Sequence, residues 1–447
     1  WDIVSAFQQA PHVGFGKETR NLLAVRYPKG FEKWCETTGE ELFSILLRNL
    51  NGKPDGGRQF NQFRDRWILM TFNRDGYICT KGKRAPCIFN ITCPKKHKSW
   101  ITIHSDDCDA LGENMESLAL IANKFDKRFG IKYTNPEHML GTVRKRYVQD
   151  GVLFEHITQT GFLKDLWEEH KHLCKPNAAS PDVPFPKGVQ LYVGCEDASD
   201  EEIKNVRAKG YLAIVGGLMW GARNTKPMES FGTNQCTKVM AAPGEKALKY
   251  ALNVLQYMVA NMEEGIVYRS DGNKSIETFY DASFQPNPNN GKAPFGFVSH
   301  LYGGPVSWLS KTLPHVGTHV GQNETAAQCF AAKHSIYLKY VHEEMTGQEK
   351  EMVKLYGDND QATMFAQEDM VTSGNKYYYL PYYWIKEVEG IFVKTDRVAT
   401  ENNNAGVMTK AVDKNTLQYL KPRVTGYTGH DGTLFKFDPK KATYIPP

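Results

Sequence analysis

Residues 275–284 have the sequence Ser-Ile-Glu-Thr-Phe-Tyr-Asp-Ala-Ser-Phe, and the segment that they begin decides the fold class. Short apolar runs bounded by turn residues predict β-strands here, and a longer helical period follows. In chain order the predicted elements are strands at 277–284, 295–302 and 306–309, a helix at about 323–345, a strand at 352–356 and a second helix. This order indicates an α/β domain with a mixed sheet.

One acidic residue falls on each of three elements of this domain. Asp281 lies on the first strand, Glu324 on the long helix and Asp358 at a strand end. Acids that converge from separate elements can hold the two divalent ions used in phosphodiester hydrolysis. Structural roles stay open, because Glu324 could be a first-turn acid favoured by the helix dipole and Asp358 a turn or cap residue. The pattern predicts a candidate metal centre.

A second group of acids lies near the start of the chain. Residues 1–7 are predicted to form a strand that carries Asp2, and an apolar strand at 100–103 runs into a polar tip with Asp106 and Asp107, after which a helix follows. Adjacent carboxylates repel each other, so a site that keeps both ionised supplies a cation or full solvation. A solvated hairpin tip is the alternative. The three acids would suffice to hold two ions about 4 Å apart.

Between these groups the chain alternates turns, helices and one linker candidate. Asp150-Gly151 predicts a tight hairpin turn, and Thr158 is a candidate cap of the following helix. Residues 175–188 hold four prolines and little periodicity, which favours a linker. Helical apolar periods at 203–222 and 243–262 predict a helical connecting region.

Composition sets wide limits on function. The 447 residues predict two to four domains, and no apolar run approaches the roughly 20 residues that span a bilayer. Fifty-five Lys and Arg against 50 Asp and Glu give a net charge of +5, which permits a nucleic-acid partner without requiring one. Nine cysteines without a Cys-x-x-Cys pair favour reduced thiols inside a cell. Gly-x-Ser-x-Gly, phosphate-loop and His-Glu-x-x-His motifs are absent, which argues against other hydrolases and transferases.

A series of motifs resembles the Pol polyproteins of copia-type LTR retrotransposons, over about residues 1–412. Trp-Asp-Ile-Val-Ser-Ala-Phe at 1–7 resembles the first palm motif of that family, and His-Ser-Asp-Asp at 104–107 is similar to its Tyr-Val-Asp-Asp. Gly-Gly-Leu-Met-Trp at 216–220 and Thr-Lys-Pro at 225–227 resemble its Gly-Ser-Leu-Met-Tyr and Thr-Arg-Pro. The resemblance implies a reverse transcriptase followed by a ribonuclease H domain.

The resemblance also implies roles for residues of the polymerase half. Asp2, Asp106 and Asp107 would be catalytic metal ligands, and Phe7, which is a core aromatic on local pattern alone, would be the steric gate against a 2′-hydroxyl. Substrate-contacting positions are implied at Gly52, Asp55, Arg58, Leu140 and Gly141. Asp55 stands where the family has a nucleotide-contacting Gln, and a carboxylate there would repel a triphosphate.

In the ribonuclease H half, Asp281, Glu324 and Asp358 lie in motifs that follow the family order. They would be catalytic and metal-binding. The fourth catalytic Asp of the family is replaced by Gly406, so one metal ion would lose a ligand, and the amides at 402–404 would hold a hard cation less tightly than a carboxylate. Tyr377 stands where the family usually has His.

The implied architecture is α+β and α/β, multidomain. Its segments are a palm with truncated fingers at 1–157, a thumb-like helix and Pro-rich linker at 158–188, a connection at 189–274, a ribonuclease H-like domain at 275–412 and a tail at 413–447. The implied activity is RNA-directed DNA polymerisation with ribonuclease H, using two Mg²⁺ per active site. The implied partners are RNA template, DNA primer, RNA–DNA hybrid and dNTPs, without a membrane, in a cytoplasmic particle or the nucleus. The alternative is a decayed or domesticated copy that binds nucleic acid without catalysis.

Overall fold

The structure is a computed structural model with two compact units. It describes residues 1–10, 24–26, 29, 33–34, 36–45, 55–174, 179–284, 286–368, 372–373, 375–429 and 437–446. The first unit comprises Trp1–Pro136 with Glu344–Gly347, and the second comprises Glu137–Glu343 with Gln348–Pro447. The five segments named above remain a prediction. No helix of the described residues combines the length and apolar character that a membrane crossing needs.

The first unit is built around an antiparallel six-stranded sheet in the order β5-β6-β7-β8-β1-β9, and a small sheet has the order β2-β4-β3. Two long helices, α2 and α3, contribute the aromatic core, in which Phe60, Phe72 and Phe125 are fully buried. In chain order the elements are β1 (Asp2–Ile3), α1 (Ala6–Gln9), β2 (Ala24–Arg26), β3 (Lys33–Trp34), β4 (Glu41–Ile45), α2 (Gly56–Arg74), β5 (Ile78–Lys81), β6 (Ile88–Thr92), β7 (Lys98–His104), β8 (Asp107–Gly112), α3 (Met115–Phe129) and β9 (Ile131–Lys132).

Two predictions for the first unit need correction. The strand predicted at 1–7 ends at Ile3, because Ser5 adopts a left-handed conformation (φ 51°) that turns the chain into α1. The polar tip at 104–107 does not lead directly into a helix, because β8 returns along β7 before α3 begins. The predicted helix itself is confirmed as α3, and Gly130 at its end has a φ of 67°.

The second unit contains two further sheets and most of the helices. One sheet has the order β10-β11-β12-β13 with β19 also paired to β11, and the other has the order β16-β15-β14-β17-β18. Its elements are β10 (His138–Met139), β11 (Thr142–Gln149), β12 (Val152–Thr158), α4 (Thr160–His170), α5 (Asp200–Ala208), α6 (Tyr211–Asn224), α7 (Ser230–Thr237), α8 (Glu245–Ala260), β13 (Ile266–Arg269), β14 (Glu277–Ala282), β15 (Pro294–Leu301), β16 (Gly304–Thr312), α9 (Val320–Thr346), β17 (Val353–Gly357), α10 (Asp360–Gln367), α11 (Trp384–Val388), β18 (Val393–Arg397), α12 (Gly406–Thr409), α13 (Lys414–Thr425) and β19 (Thr443–Ile445).

The sheet around β14 is mixed, as predicted. β14 pairs antiparallel with β15 and parallel with β17, and β17 pairs parallel with β18. All six residues of β14 are buried, which is expected of a central strand whose two faces are both covered. The alanine-rich part of α9 packs into the same core as β14, β15 and β17. The α+β character of the fold is confirmed.

The turns and connections of the second unit follow the sequence in part. Asp150 (φ 52°) and Gly151 (φ 77°) form the predicted hairpin turn. The helix after β12 is confirmed as α4, but Thr158 does not cap it, because Thr158 still belongs to β12 and Gln159 is the N-cap. The described part of the predicted linker has no helix or strand, yet Phe185 is buried among α-helices, so it is packed chain rather than a free tether.

Candidate active site

Three acidic side chains from separate elements meet near the C-terminal ends of β14 and β17. Asp281 lies on β14, Glu324 in the second turn of α9 and Asp358 directly after β17. One carboxylate oxygen of each lies within 4.8 Å of the other two. Across the described ranges, no other three His, Cys, Asp or Glu side chains meet that spacing. The structure thus brings together the three acids that the sequence analysis groups.

Local packing explains why these acids face inward. The aromatic ring of Tyr280 lies against the end of β17 so closely that a Cβ at Gly357 would come within 2.3 Å of it, which fixes the strand end that carries Asp358. Asn359, not Asp358, caps α10 by accepting a hydrogen bond from the Ala362 amide. The cap alternative for Asp358 is therefore wrong, and its carboxylate is available to the cluster.

Burial and mutual repulsion disfavour the ionised forms of this cluster. Asp281 is 2% exposed and Glu324 is 3% exposed. Burial raises the pKa of Glu324 well above its ordinary value, and the charges of Asp281 and Asp358 raise it further. Burial also raises the pKa of Asp281. One carboxylate oxygen of Glu324 has no hydrogen-bond partner among the described residues. A divalent cation would offset these costs, because it attracts all three carboxylates at once.

Two side chains at the end of α12 contact Asp281: Thr409 is the last residue of this helix and Lys410 follows it. The hydroxyl of Thr409 donates a hydrogen bond to Oδ2 of Asp281, and the Nζ atom of Lys410 lies 3.7 Å from the same oxygen. Both lower the pKa of Asp281, against the effect of burial. Sequence reasoning did not assign either residue to the site. The available signal was that both residues follow Gly406 within the stretch that resembles the family, but the contact itself joins Thr409 to a residue 128 positions away.

Gly406 lies at the start of α12, beside the ammonium group of Lys410. A Cβ at this position would lie 3.5 Å from Cε and 3.9 Å from Nζ of Lys410, which is ordinary contact. A cavity of about 670 Å³ opens here, lined in part by Gly406 and Lys410. An acidic side chain at 406 would therefore fit. It would lie beside the ammonium group of Lys410, which pairs with Asp281.

The neighbouring amides are largely engaged elsewhere. Oδ1 of Asn402 accepts hydrogen bonds from Tyr419 and Arg423. The Asn403 amide donates to the Tyr280 carbonyl and its oxygen accepts from the Ala405 amide. Asn404 is fully buried, and neither polar atom of its amide has a partner among the described residues. Of the three amides, Asn404 alone keeps its capacity to replace the missing carboxylate, which remains a prediction.

In the first unit the strand register brings the other predicted acids together. Asp2 on β1 pairs directly with Asp107 on β8, and the Ile3 amide donates to the Asp106 carbonyl at 3.0 Å. Burial raises the pKa of Asp2, and the charges of Asp106 and Asp107 raise it further. All three side chains are partly exposed. They are neighbours, but they are more widely spaced than the cluster around Asp281.

A buried arginine that sequence reasoning missed supports this hairpin. Arg64 of α2 is 3% exposed, and it donates a 2.7 Å hydrogen bond to the carbonyl of Ser105, the residue before Asp106. Its Nε and Nη2 atoms both donate hydrogen bonds to Oδ1 of Asp65, and Oδ2 of Asp65 pairs with Lys81 at 2.7 Å. Arg64 is thus a positioning residue for the turn that carries the acids.

The remaining predicted site residues are spread over both units. Phe7 lies on α1, and its ring packs edge to face with Phe60 at 6.2 Å between centroids. Asp55 is the exposed N-cap residue of α2, and Arg58 is exposed in its first turn. Gly52 lies outside the described residues.

Leu140 and Gly141, two of the implied substrate-contacting positions, belong to the second unit and do not lie in a strand. They are the two-residue turn between β10 and β11, with φ of 49° and 74°, and Leu140 is 40% exposed. A leucine in the left-handed region is uncommon, which explains why the sequence did not predict a turn there.

Comparison with known proteins reveals distant relatives over most of the chain. The chain is 22% identical over 410 residues to the retrovirus-related Pol polyprotein from transposon TNT 1-94 of Nicotiana tabacum, covering 90% of this chain and 29% of that protein. It is 22% identical over 329 residues to the retrovirus-related Pol polyprotein from transposon RE1 of Arabidopsis thaliana, covering 73% and 21%. The resemblance to retrotransposon Pol polyproteins is confirmed. The chain spans only about a fifth to three tenths of the length of these relatives. No protein-family model matches it.

Two solved structures show a weak likeness to the chain. One is LC11-RNase H1 in complex with RNA/DNA hybrid, with 16% identity, a TM-score of 0.23, and coverage of 29% of this chain and 88% of that one. The other is the foamy viral protease-reverse transcriptase in complex with dsDNA, with 10% identity, a TM-score of 0.18, and coverage of 87% and 67%. At these TM-scores the likenesses add nothing to the fold described above.

Proposed function

We propose that the second unit is a divalent-metal-dependent nuclease that hydrolyses the RNA strand of an RNA–DNA hybrid. The observation that carries the proposal is the convergence of Asp281, Glu324 and Asp358 within 4.8 Å, two of them buried. Three buried or half-buried carboxylates without a cation are costly, so a fold that keeps them together is best explained by a bound ion. The distant Pol relatives support the choice of substrate.

The donor set fits Mg²⁺ or Mn²⁺, because hard divalent ions prefer carboxylate oxygens. Asp281, Glu324 and Asp358 would hold the metal, which would polarise the scissile phosphate and lower the pKa of a bound water. Thr409 and Lys410 orient Oδ2 of Asp281 and limit its rotation. Hydrolysis joins a water oxygen to phosphorus while the bond to the 3′ oxygen breaks, and that oxygen takes up a proton.

We propose in addition that the first unit derives from the palm of an RNA-directed DNA polymerase. The supporting observation is the strand register that pairs Asp2 with Asp107 next to Asp106. Mg²⁺, RNA template, DNA primer and dNTPs would be its ligands, and Phe7 its steric gate. A cytoplasmic particle or the nucleus is the proposed location. This second activity rests on partly exposed acids with wider spacing, so the nuclease is the better supported of the two.

Cleavage of a labelled hybrid tests the nuclease directly. The full chain is incubated with an RNA–DNA hybrid labelled on the RNA, with Mg²⁺, with Mn²⁺ or with a chelator. Metal-dependent RNA cleavage is expected, and Glu324→Gln and Asp358→Asn should abolish it. Asp360→Asn is the matched control, because Asp360, the first residue of α10, lies close to Asp358 in sequence but pairs with Arg397 on the surface. Cleavage that persists unchanged in the Glu324 and Asp358 variants would overturn the proposal.

A nucleic-acid-binding protein without catalysis is the second candidate. The observation that favours it is Gly406, which leaves Lys410 paired with Asp281 where the family has another acid. If the unaltered chain binds the hybrid but cuts it only after Gly406→Asp, the chain is a decayed copy that retains the fold and the binding surface.

A further inference from the structure

A cavity of about 540 Å³ lies in the second unit between α6, α7 and β16. Three basic side chains line it: Arg223 of α6, Lys238 just after α7, and Lys311 of β16. No acidic residue is among its lining. The three cations come from different elements, so the fold itself gathers them, and each adds positive potential to one concave surface.

One buried polar group of this cavity has no partner within the described protein. Thr233 is 4% exposed, and its hydroxyl oxygen has no hydrogen-bond partner among the described residues. Burial lowers the pKa of Lys238 to about 8, and no acid offsets that effect. None of Arg223, Lys238 and Lys311 forms an ion pair with another described residue. The Thr233 hydroxyl is a buried group without a partner, which is costly, whereas Arg223 and Lys311 are exposed and Lys238 is half-buried. A ligand that accepts hydrogen bonds and carries negative charge fits both the hydroxyl and the three cations.

The strand register links the cavity to the acidic cluster. Asp281 of β14 pairs with Gly296 of β15, and Gly296 pairs with Ser310 of β16, which lines the cavity. Directly paired residues of antiparallel strands share one face of the sheet. Two strand spacings therefore separate Ser310 from Asp281, or roughly 10 Å. Ser310 and Asp281 therefore lie on the same face, whereas Lys311, the next residue of β16, starts from the other face.

The space between them is covered by close backbone packing. A Cβ at Gly296 would come within 2.4 Å of Cβ of Met408, so α12 lies directly on β15 there. The amide of Asn234 on α7 donates to the Ser310 hydroxyl at 3.3 Å, which ties the cavity wall to the same row of residues. Cavity and acids are thus held at a fixed separation by the sheet and by two helices.

We propose that this cavity binds backbone phosphate of the nucleic-acid strand that the acidic cluster acts on. This inference rests on the proposed nuclease function. Because roughly 10 Å separates Ser310 from Asp281 across the sheet, a phosphate in the cavity would lie within a few nucleotides of the scissile bond. Arg223, Lys238 and Lys311 supply the charge, and the hydroxyl of Thr233 donates to a phosphate oxygen. The contact fixes the register of the strand and carries no sequence information.

Equilibrium binding of a labelled RNA–DNA hybrid to the full chain, measured by fluorescence anisotropy with a chelator present, tests the inference without catalysis. The triple variant Arg223→Gln, Lys238→Gln and Lys311→Gln should bind at least about tenfold more weakly, and the slope of log K against log salt should fall by about 0.9 for each phosphate that the variant no longer neutralises. The matched control is a triple variant of exposed lysines elsewhere on the unit. It changes Lys164, Lys394 and Lys440 to Gln. Equal affinity and equal salt slope in the two triple variants would overturn the inference.

A second variant separates the buried hydroxyl from the charges. Thr233→Val keeps the shape and removes the donor, so it should weaken hybrid binding several-fold with an unchanged salt slope and an undiminished melting temperature. Unchanged affinity in Thr233→Val would remove the hydroxyl from the site. Inorganic phosphate should compete with the hybrid for the unaltered chain more effectively than for the charge variant. Equal competition against both would mean that the cavity does not select phosphate.

Failure of the inference and failure of the proposed function give different results. If cleavage depends on Glu324 and Asp358 while the cavity variants bind normally, the nuclease stands and the phosphate site is wrong. If no variant cleaves the hybrid but the cavity variants lose affinity, the phosphate site stands on a protein that binds without cutting.

Discussion

The two acidic groups of this protein are built in opposite ways. Asp106 and Asp107 are adjacent in sequence and share a hairpin, whereas Asp281, Glu324 and Asp358 come from a strand, a helix and a strand end. Only the second group brings its carboxylate oxygens within 4.8 Å of one another among the described residues. Asp106 lies in the turn and Asp107 begins β8, and side chains of adjacent residues point in different directions, so adjacency in sequence does not bring the carboxylates to one point. Convergence of separate elements is what concentrates them.

Burial follows the same division. The acids of the hairpin are partly exposed, and water can solvate them. Asp281 and Glu324 are nearly inaccessible, so their charge must be balanced by the protein or by an ion. Thr409 and Lys410 balance part of it at Asp281. The comparison predicts one tight metal site around Asp281 and a weaker one near Asp107.

The largest expected effect is on hydrolysis. Asp281→Asn should reduce cleavage of an RNA–DNA hybrid on the order of 10²- to 10³-fold, the loss typical of a group that stabilises charge in the transition state. Asp107→Asn makes the same chemical change in the other group and should leave cleavage within about twofold of the unaltered chain. Initial rates on labelled hybrid check both variants. Equal losses in the two variants would break the distinction drawn between the groups.

Removal of Arg64 should have the next largest effect, on stability. Arg64→Ala leaves Asp65 with one partner fewer and the Ser105 carbonyl without its donor, which should destabilise the first unit by about 2–4 kcal/mol. Urea unfolding followed by tryptophan fluorescence measures this. Arg66→Ala, on the exposed face of the same helix, should leave the midpoint unchanged. If both variants unfold alike, Arg64 does not support the hairpin.

The free energy of unfolding, measured as a function of pH, can sharpen the comparison of the two acidic groups. The contribution of His156 to this pH dependence must first be removed. Burial lowers the pKa of His156 to about 4, from an ordinary value of 6.5. Its neutral form is therefore favoured in the folded state, and the stability that it contributes is present above pH 6.5 and is lost as the pH falls toward 4. The second unit should lose about 2 kcal/mol between pH 7 and pH 5 for this reason.

His156→Gln is the matched variant for this titration, since glutamine can still accept a hydrogen bond from Tyr427. The free energy of unfolding, measured at a series of pH values, should then vary less with pH. A variant as acid-sensitive as the unaltered chain would show that another group titrates.

The smallest expected effect concerns Gly406. Gly406→Asp adds a carboxylate beside Lys410 and should tighten Mn²⁺ binding about tenfold, or about 1.4 kcal/mol. Gly406→Asn has nearly the same shape without the charge and should change affinity much less. Calorimetric titration with Mn²⁺ compares them. If the two variants bind alike, position 406 does not face the metal site, and the missing acid has no bearing on activity.

The sequence predicted the second unit better than the first because its signals are local. The strands and helices from β14 to α10 have clear periods, and Asp150-Gly151 is a strong turn signal. The helix α2 was missed, because its buried stripe of Phe60, Arg64, Ile68 and Phe72 contains a charged residue and the helix opens with two glycines. A buried arginine resembles a surface residue until its partners are known.

Only the acidic residues of the candidate sites could be predicted from the sequence. The chemistry of carboxylates singled out Asp281, Glu324 and Asp358, but Thr409, Lys410 and Arg64 act through contacts that no local pattern encodes. The helix α13 in the C-terminal tail was also not predicted from the sequence. Leu417, Leu420 and Val424 form the buried stripe of α13, but Pro422 inside the helix obscured it.

β19 pairs with β11 but lies far later in the chain, so the ribosome makes the two strands at very different times. Tyr444 aligns with Tyr147, so the strand that completes this part of the sheet is made long after its partner. At roughly 5–20 residues per second, the ribosome would leave that edge of β11 open for roughly 15 to 60 seconds. Nascent chains would expose an unpaired backbone edge throughout this interval, which makes a chaperone or rapid burial by other segments valuable to the cell that translates it.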